Sequence, residues 1–101
     1  MGDELAWIQE WYHRHCNGEW ERQYGVKVDT LDNPGWSLTV DLRGTEAAGR
    51  VFDYLLVDHG EEDWYSIQSD GRTFEGNGDP RKLTKLMQCF REWVEQEWPT
   101  S

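Results

Sequence analysis

The stretch from Trp20 to Leu42, WERQYGVKVDTLDNPGWSLTVDL, constrains the fold more than any other part of the chain. Tyr24, Val26 and Val28 before its centre, and Trp36, Leu38, Val40 and Leu42 after it, alternate with polar residues, which is the period of a half-buried strand. Between the two runs stand Asp32, Asn33, Pro34 and Gly35, turn chemistry at every position. Pro34 fixes φ near the value a turn needs at its second residue, Gly35 can take φ > 0, and Asp32 or Asn33 can bond the backbone ahead of it. The stretch predicts a β-hairpin.

The flanking segments predict the rest of an α+β domain. Leu5, Ile8, Trp11, Tyr12 and then His15 or Cys16 recur at three- and four-residue spacing after a cap at Asp3, which predicts an amphipathic helix ending near Asn17-Gly18. Its charges suit the helix dipole, with Asp3 and Glu4 at the positive end and Arg14 at the negative one. Beyond the hairpin, Thr45 to Arg50 reads as a connection and Val51 to Asp58 as a third strand, whose consecutive Leu55, Leu56 and Val57 predict burial on both faces. Glu61, Glu62 and Asp63 form an acidic turn into a fourth strand from Trp64 to Ser69, and Asp70-Gly71 is a two-residue hairpin signal before a short fifth strand around Thr73 to Glu75. Gly76 to Pro80 then opens a second helix, with Asp79 as N-cap and Pro80 at the first helical position. Leu83, Leu86, Met87, Phe90, Trp93 and Val94 carry that helix to Trp98, where Pro99 stops it. The expected architecture is one α+β domain over residues 1–101, an antiparallel four- or five-stranded meander sheet with the N-terminal and C-terminal helices packed on it.

Charge narrows the function classes. Twenty acidic against ten basic residues leave a formal charge of −10, which disfavours nucleic acid and anionic membranes as partners and favours a basic protein surface; the plainer alternative is that acidity serves solubility alone. No apolar run approaches the roughly 20 residues of a membrane span, and the first residues lack the basic and apolar regions of a signal peptide, so a cytoplasmic location is expected. Cys16 and Cys89 are too few and too far apart for a disulfide framework.

Within the second helix the charges run against the dipole, with Arg81, Lys82 and Lys85 in the first turns and Glu92, Glu95 and Glu97 in the last, each misplaced charge costing around 0.3 to 1 kcal/mol at low salt. Such a conflict marks Glu92, Glu95 and Glu97 as candidates for pairing with a partner's basic residues. The alternative is internal: two helices lying side by side and running the same way would bring Arg14 to those glutamates. Seven tryptophans are more than so small a core can absorb. Trp11, Trp36 and Trp93 fall on predicted core faces, whereas Trp7, Trp20, Trp64 and Trp98 do not, and tryptophan beside acid is the composition of an interface hot spot. The partner-binding candidates are therefore Glu61, Glu62, Asp63, Trp64, Glu92, Glu95, Glu97 and Trp98.

Catalytic and metal signals are weaker. His15-Cys16 through Arg22 has the H-C-x5-R spacing of cysteine-dependent phosphatases, in which a thiolate attacks phosphorus while backbone N–H groups and the arginine cradle the phosphate oxygens. Here the cysteine closes a helical pattern, and Glu19 and Glu21 would repel a phosphate dianion. His13 with Cys16, and Asp58 with Glu61, Glu62 and Asp63, lack the spacing of zinc or calcium ligand sets, and Asp79 would fill the helix N-terminus that follows Gly76-Asn77-Gly78. No catalytic, metal or cofactor site is expected.

With these segments in place the chain resembles the immunity protein 53 family of bacterial polymorphic toxin systems. The resemblance is carried by Trp7-Ile8-Gln9-Glu10-Trp11-Tyr12, by Cys16-Asn17-Gly18-Glu19-Trp20-Glu21, by Tyr24 to Val28 running into Thr30-Leu31-Asp32-Asn33-Pro34-Gly35-Trp36, by Asp41-Leu42 with Gly44-Thr45-Glu46, and by Gly78-Asp79-Pro80. It implies a cytoplasmic antidote that binds and neutralises a toxin domain, usually encoded beside it, without catalysis. Two further readings stand beside it: a phosphatase- or sulfurtransferase-like enzyme centred on Cys16 and Arg22, and an adaptor with a partner that is not a toxin.

Overall fold

The computed structural model describes residues 3–23 and 25–96; Tyr24, Glu97, Trp98 and Pro99, which figure in the expectations above, lie outside the described residues. Helix α1 spans Glu4–His15 and a short helical turn, α2, spans Trp20–Gln23; strands β1 (Val26–Leu31), β2 (Gly35–Asp41), β3 (Val51–Asp58), β4 (Trp64–Asp70) and β5 (Thr73–Gly78) precede helix α3 (Leu83–Glu95). The strands form one antiparallel sheet in the order β1-β2-β5-β4-β3. The α+β class therefore stands. The sheet is not laid down in chain order: the β1–β2 hairpin and the β3–β4–β5 meander are joined along β2 and β5, and the chain leaves β2 in the centre to begin β3 at the far edge.

One face of the sheet is covered by helices. Leu38, Val40 and Phe74 on the two central strands and Leu86 and Phe90 on α3 are fully buried, so the β2–β5 seam lies beneath the C-terminal helix. Residues directly opposite in antiparallel strands share a face, which places Val40 with Phe74 and Ile67 with Leu55 on the helix side. Helix α1 packs on α3 more than on the sheet. Asp3 caps it, its Oδ1 accepting the Ala6 N–H at 3.0 Å. Ile8 and Trp11 are its buried residues, and Trp7 stacks on Trp11 with ring centroids 6.4 Å apart and meets Phe90 edge-on. Leu5 and Tyr12, expected on the core face, are exposed, and Trp7, expected off it, packs against the core. The stripe is turned toward the aromatic surface of α3.

Four local expectations are corrected. Trp20 is buried in α2, and its Nε1 donates to the Asp41 carbonyl at 3.2 Å, so it belongs to the core. Gly35 is absent from the residues of positive φ; its need for glycine comes from close approach, since a Cβ there would stand 2.3 Å from the Gly78 carbonyl oxygen. Asp79 and Pro80 precede α3 without capping it: the helix begins at Leu83, after Lys82. Gly76 to Gly78, expected as a connector, continue β5, because each pairs with β2 on one side and β4 on the other. The Asp70-Gly71 turn forms as anticipated, with Gly71 at φ 90° and Asp70 Oδ1 accepting the Arg72 and Thr73 N–H groups.

The largest departure is β3. Its apolar run sits at the edge of the sheet instead of its centre, paired with β4 alone among the described residues. Leu55 and Leu56 remain 48% and 47% exposed and Tyr54 60%. A run that is apolar on both faces reads identically for a central buried strand and for an uncovered edge; Asp53 and Asp58 at its ends were the opposing signal.

Candidate interaction surface

The loop after α1 is built around its own carboxylate. Cys16 ends the helix, exposed, with Sγ donating to the Tyr12 carbonyl at 3.3 Å. Asn17 Oδ1 accepts the Glu19 and Trp20 N–H groups, and the two Glu21 oxygens accept the N–H groups of Asn17 and Gly18 at 2.9 and 2.7 Å. Its own backbone N–H, together with those of Asn17 and Gly18, holds the Glu21 carboxyl below the usual carboxylate range. The backbone donors a phosphate cradle would use at Asn17 to Trp20 are thus already bonded to Glu21 and to Asn17. Arg22 is exposed on α2. Among the described residues no group of three or more His, Cys, Asp or Glu side chains converges as a metal site would require.

A second hub forms where the β3–β4 turn meets the segment between β5 and α3. Asp79 is fully buried, and its carboxylate accepts the Trp64 N–H, the Arg81 N–H and the Lys82 Nζ, each at 2.8 Å, while its own N–H donates to the Trp64 carbonyl. Burial alone would raise this carboxyl; the lysine and the two N–H groups outweigh it and hold the group at about 2. Lys82 also reaches Asp63 at 2.8 Å, and Asp63 and Asp79 raise its own pKa. The basic residues at the start of α3 are therefore partly answered by acids from outside the helix. Trp36 Nε1 donates to the Pro80 carbonyl at 2.9 Å, which ties the β1–β2 turn to the same hub.

Residues that carried the sequence resemblance thus hold the fold. Pro34 lines the hollow beside Asp79 and Pro80, Gly35 lies against Gly78, Glu21 closes the α1–α2 loop, and Asp41 receives Trp20 on its carbonyl and Arg43 on its carboxylate at 2.8 Å. Trp11 Nε1 donates to Glu46 Oε2 at 3.0 Å, and the other Glu46 oxygen meets His15 at 2.8 Å. Asp32 is exposed in the hairpin turn.

Of the partner-binding candidates, Glu61 and Glu62 are exposed and without ion pairs among the described residues, Asp63 is held by Lys82, and Trp64 is half-buried. Among the described residues the Glu92 carboxylate accepts only a side-chain amide, from Gln88, whereas Glu95 pairs with Arg91, which also binds Glu4 of α1 at 3.2 Å. The ion pair between the helices therefore joins the first turn of α1 to the second half of α3, so the parallel arrangement that would bring Arg14 to the glutamates is not formed. Glu97 and Trp98 lie outside the described residues.

The remaining candidates flank β3. On its helix side a groove of ≈ 330 Å³ runs between β3 and α3, lined by Phe52, Leu55, Tyr65, Trp93 and Glu92. On its other side Leu56, Asp58, Glu61 and Trp64 line a shallow hollow. The segment from Val51 to Asp63 carries five carboxylates and no lysine or arginine. Four of the large apolar residues exposed among the described residues, Val51, Tyr54, Leu55 and Leu56, thus lie on this one edge with acid on both sides, and sequence reading missed its centre, Tyr54 to Leu56.

The family model described as Immunity protein 53 matches residues 5–95, and the chain belongs to that family. No curated protein and no solved structure matches it.

Proposed function

We propose that this immunity protein 53 family member binds a bacterial toxin domain and neutralises it by stoichiometric occlusion, in the cytoplasm of the cell that makes both. Family membership over residues 5–95 is the observation that carries the reading. The finer part, that the toxin presents a basic face, rests on the carboxylates around β3: Glu61 and Glu62 at its end and Glu92 on its flank have no cationic partner among the described residues, and are free to draw in lysines and arginines. Charge of one sign concentrated on a face speeds encounter with the opposite sign and suppresses wrong partners. Trp64 beside the acidic turn supplies an aromatic anchor. Inhibition of this kind needs no chemical step, and the Glu21-filled loop at Cys16 leaves the enzyme reading without a cradle for its substrate.

Co-expression with the toxin domain encoded beside this chain tests the proposal directly. Growth should be restored, a complex should be recovered, and its association rate should fall as salt rises. Toxicity without rescue sinks the function; rescue with an association rate indifferent to salt sinks the basic-face part alone.

A further inference from the structure

Sheets rarely leave a long, flat, apolar strand uncovered at their edge, because its unpaired N–H and C=O groups are a template for another strand. The opposite edge of this sheet, β1, carries Lys27 within a run of six residues. β3 carries no lysine, arginine or proline along its eight residues. A register shift lies between Phe52 and Leu55, and from Leu55 to Asp58 the pairing with β4 is regular.

The direction of the free backbone groups follows from the bonds around the β3–β4 turn. The His59 N–H donates to the Asp63 carbonyl at 2.8 Å, so His59 faces β4. Trp64, opposite Asp58, sends its N–H and its carbonyl the other way, to Asp79. Backbone groups alternate sides along an antiparallel strand, so Leu56 and Asp58 turn their N–H and C=O groups outward. Beside these groups stand Leu55 on one face and Leu56 on the other, each about half exposed.

We infer that the β3 edge receives an extended segment of the toxin as a sixth strand of the sheet, the segment alternating apolar residues with lysine or arginine. The inference rests on the immunity reading and names the part of the partner that the surface fits. Main-chain hydrogen bonds to Leu56 and Asp58 supply register, and side chains of the incoming strand lie over Leu55 and Leu56 on the two faces. Charge complementarity selects this occupant over a second copy. The edge and its turn carry Asp53, Asp58, Glu61 and Glu62 with no lysine or arginine between them, Asp63 being held by Lys82, so two such edges repel when paired, whereas basic residues of an added strand meet acid on both flanks.

Amide exchange followed by NMR on the isotope-labelled chain, alone and in the complex recovered by co-expression with the neighbouring toxin domain, tests the edge. The Leu56 and Asp58 amides are expected to exchange fast in the chain alone and about a hundred-fold or more slowly in the complex. A complex in which both amides stay fast overturns the edge while leaving the immunity function intact; failure to form any complex overturns both. Slow exchange in the chain alone means that its own terminal residues or a second copy already cover the strand, and overturns the inference as well. Leu56→Pro, which removes one outward N–H, is expected to weaken the complex at least about ten-fold, with Leu56→Thr, which keeps it, closer to the parent. Equal affinities for a folded Leu56→Pro variant and the parent count against the edge.

Discussion

Asp79→Ala removes the carboxylate at the hub between the β3–β4 turn and α3, and its cost can be worked from the bonds it breaks. Three donors lose their acceptor: the Trp64 N–H, the Arg81 N–H and Lys82 Nζ. Lys82 keeps Asp63 at 2.8 Å, so its loss is small. The two backbone donors remain; at about 1.5 kcal/mol for each bond to a charged acceptor the variant should lose ~3 kcal/mol. That is a large share of the roughly 5 to 15 kcal/mol that a domain of this size possesses, and it should lower the melting temperature by about 15 °C. Urea denaturation followed by tryptophan fluorescence reads the loss directly. The pH dependence supplies a second check. The carboxyl titrates at about 2 in the folded chain, below its ordinary 3.8, so its contribution is complete above about pH 4 and is lost as pH falls through 2. The stability gap between parent and Asp79→Asn should therefore narrow between pH 4 and 2. A loss under about 1 kcal/mol at neutral pH, or a gap of equal size at pH 2 and pH 6, refutes the reasoning.

Gly35→Ala places a methyl group against the Gly78 carbonyl and should cost ~3 kcal/mol by urea midpoint, with unchanged stability showing that β2 and β5 are less closely apposed than described. Combined Glu61→Lys, Glu62→Lys and Glu92→Lys should slow toxin association by about ten-fold or more at low salt in stopped-flow measurements, with thermal stability nearly unaltered; an association rate like the parent's removes the acidic face from the interface. Cys16→Ser should fold and neutralise as the parent does in the growth assay, and a folded variant that fails to protect would return the cysteine to a functional role.

How far the sequence reveals this molecule depends on whether a residue's role is local. The hairpin at Asp32 to Gly35, the turn at Asp70-Gly71, the Asp3 cap and the apolar stripe of α3 are set by neighbours a few residues away, and each forms where the pattern places it. The roles of Gly35 and Asp79 are not local: one is defined by Gly78 across the sheet and the other by Trp64 on a neighbouring strand, so turn chemistry and capping rules assign them the wrong reasons. The exposure of Leu55 and Leu56 is invisible for the same cause, since it follows from strand order. Tryptophan misled in a different way. Trp7 and Trp20 look surplus when each helix is taken alone, yet the aromatic cluster of Trp11, Phe90 and Trp93 extends to include them. Glu61, Glu62 and Glu92 were visible as acid, but only the fold puts them on the two sides of one strand.

The β2–β5 seam also governs when this sheet can exist. Asp41 pairs with Thr73 and Trp36 with Gly78, so the central ladder joins segments far apart in the chain, and during synthesis the first hairpin must wait, one side unpaired, until β5 has emerged. The loop closed by that pairing contains the whole of β3 and β4, and its entropy must be met before the core beneath α3 can form. The core beneath α3 therefore forms only once β5 and α3 have left the ribosome. A truncated chain ending before Thr73 would lack α3 and the strand that joins β2 to β4, and its two separated hairpins would present four edges to their surroundings where the five-stranded sheet presents two.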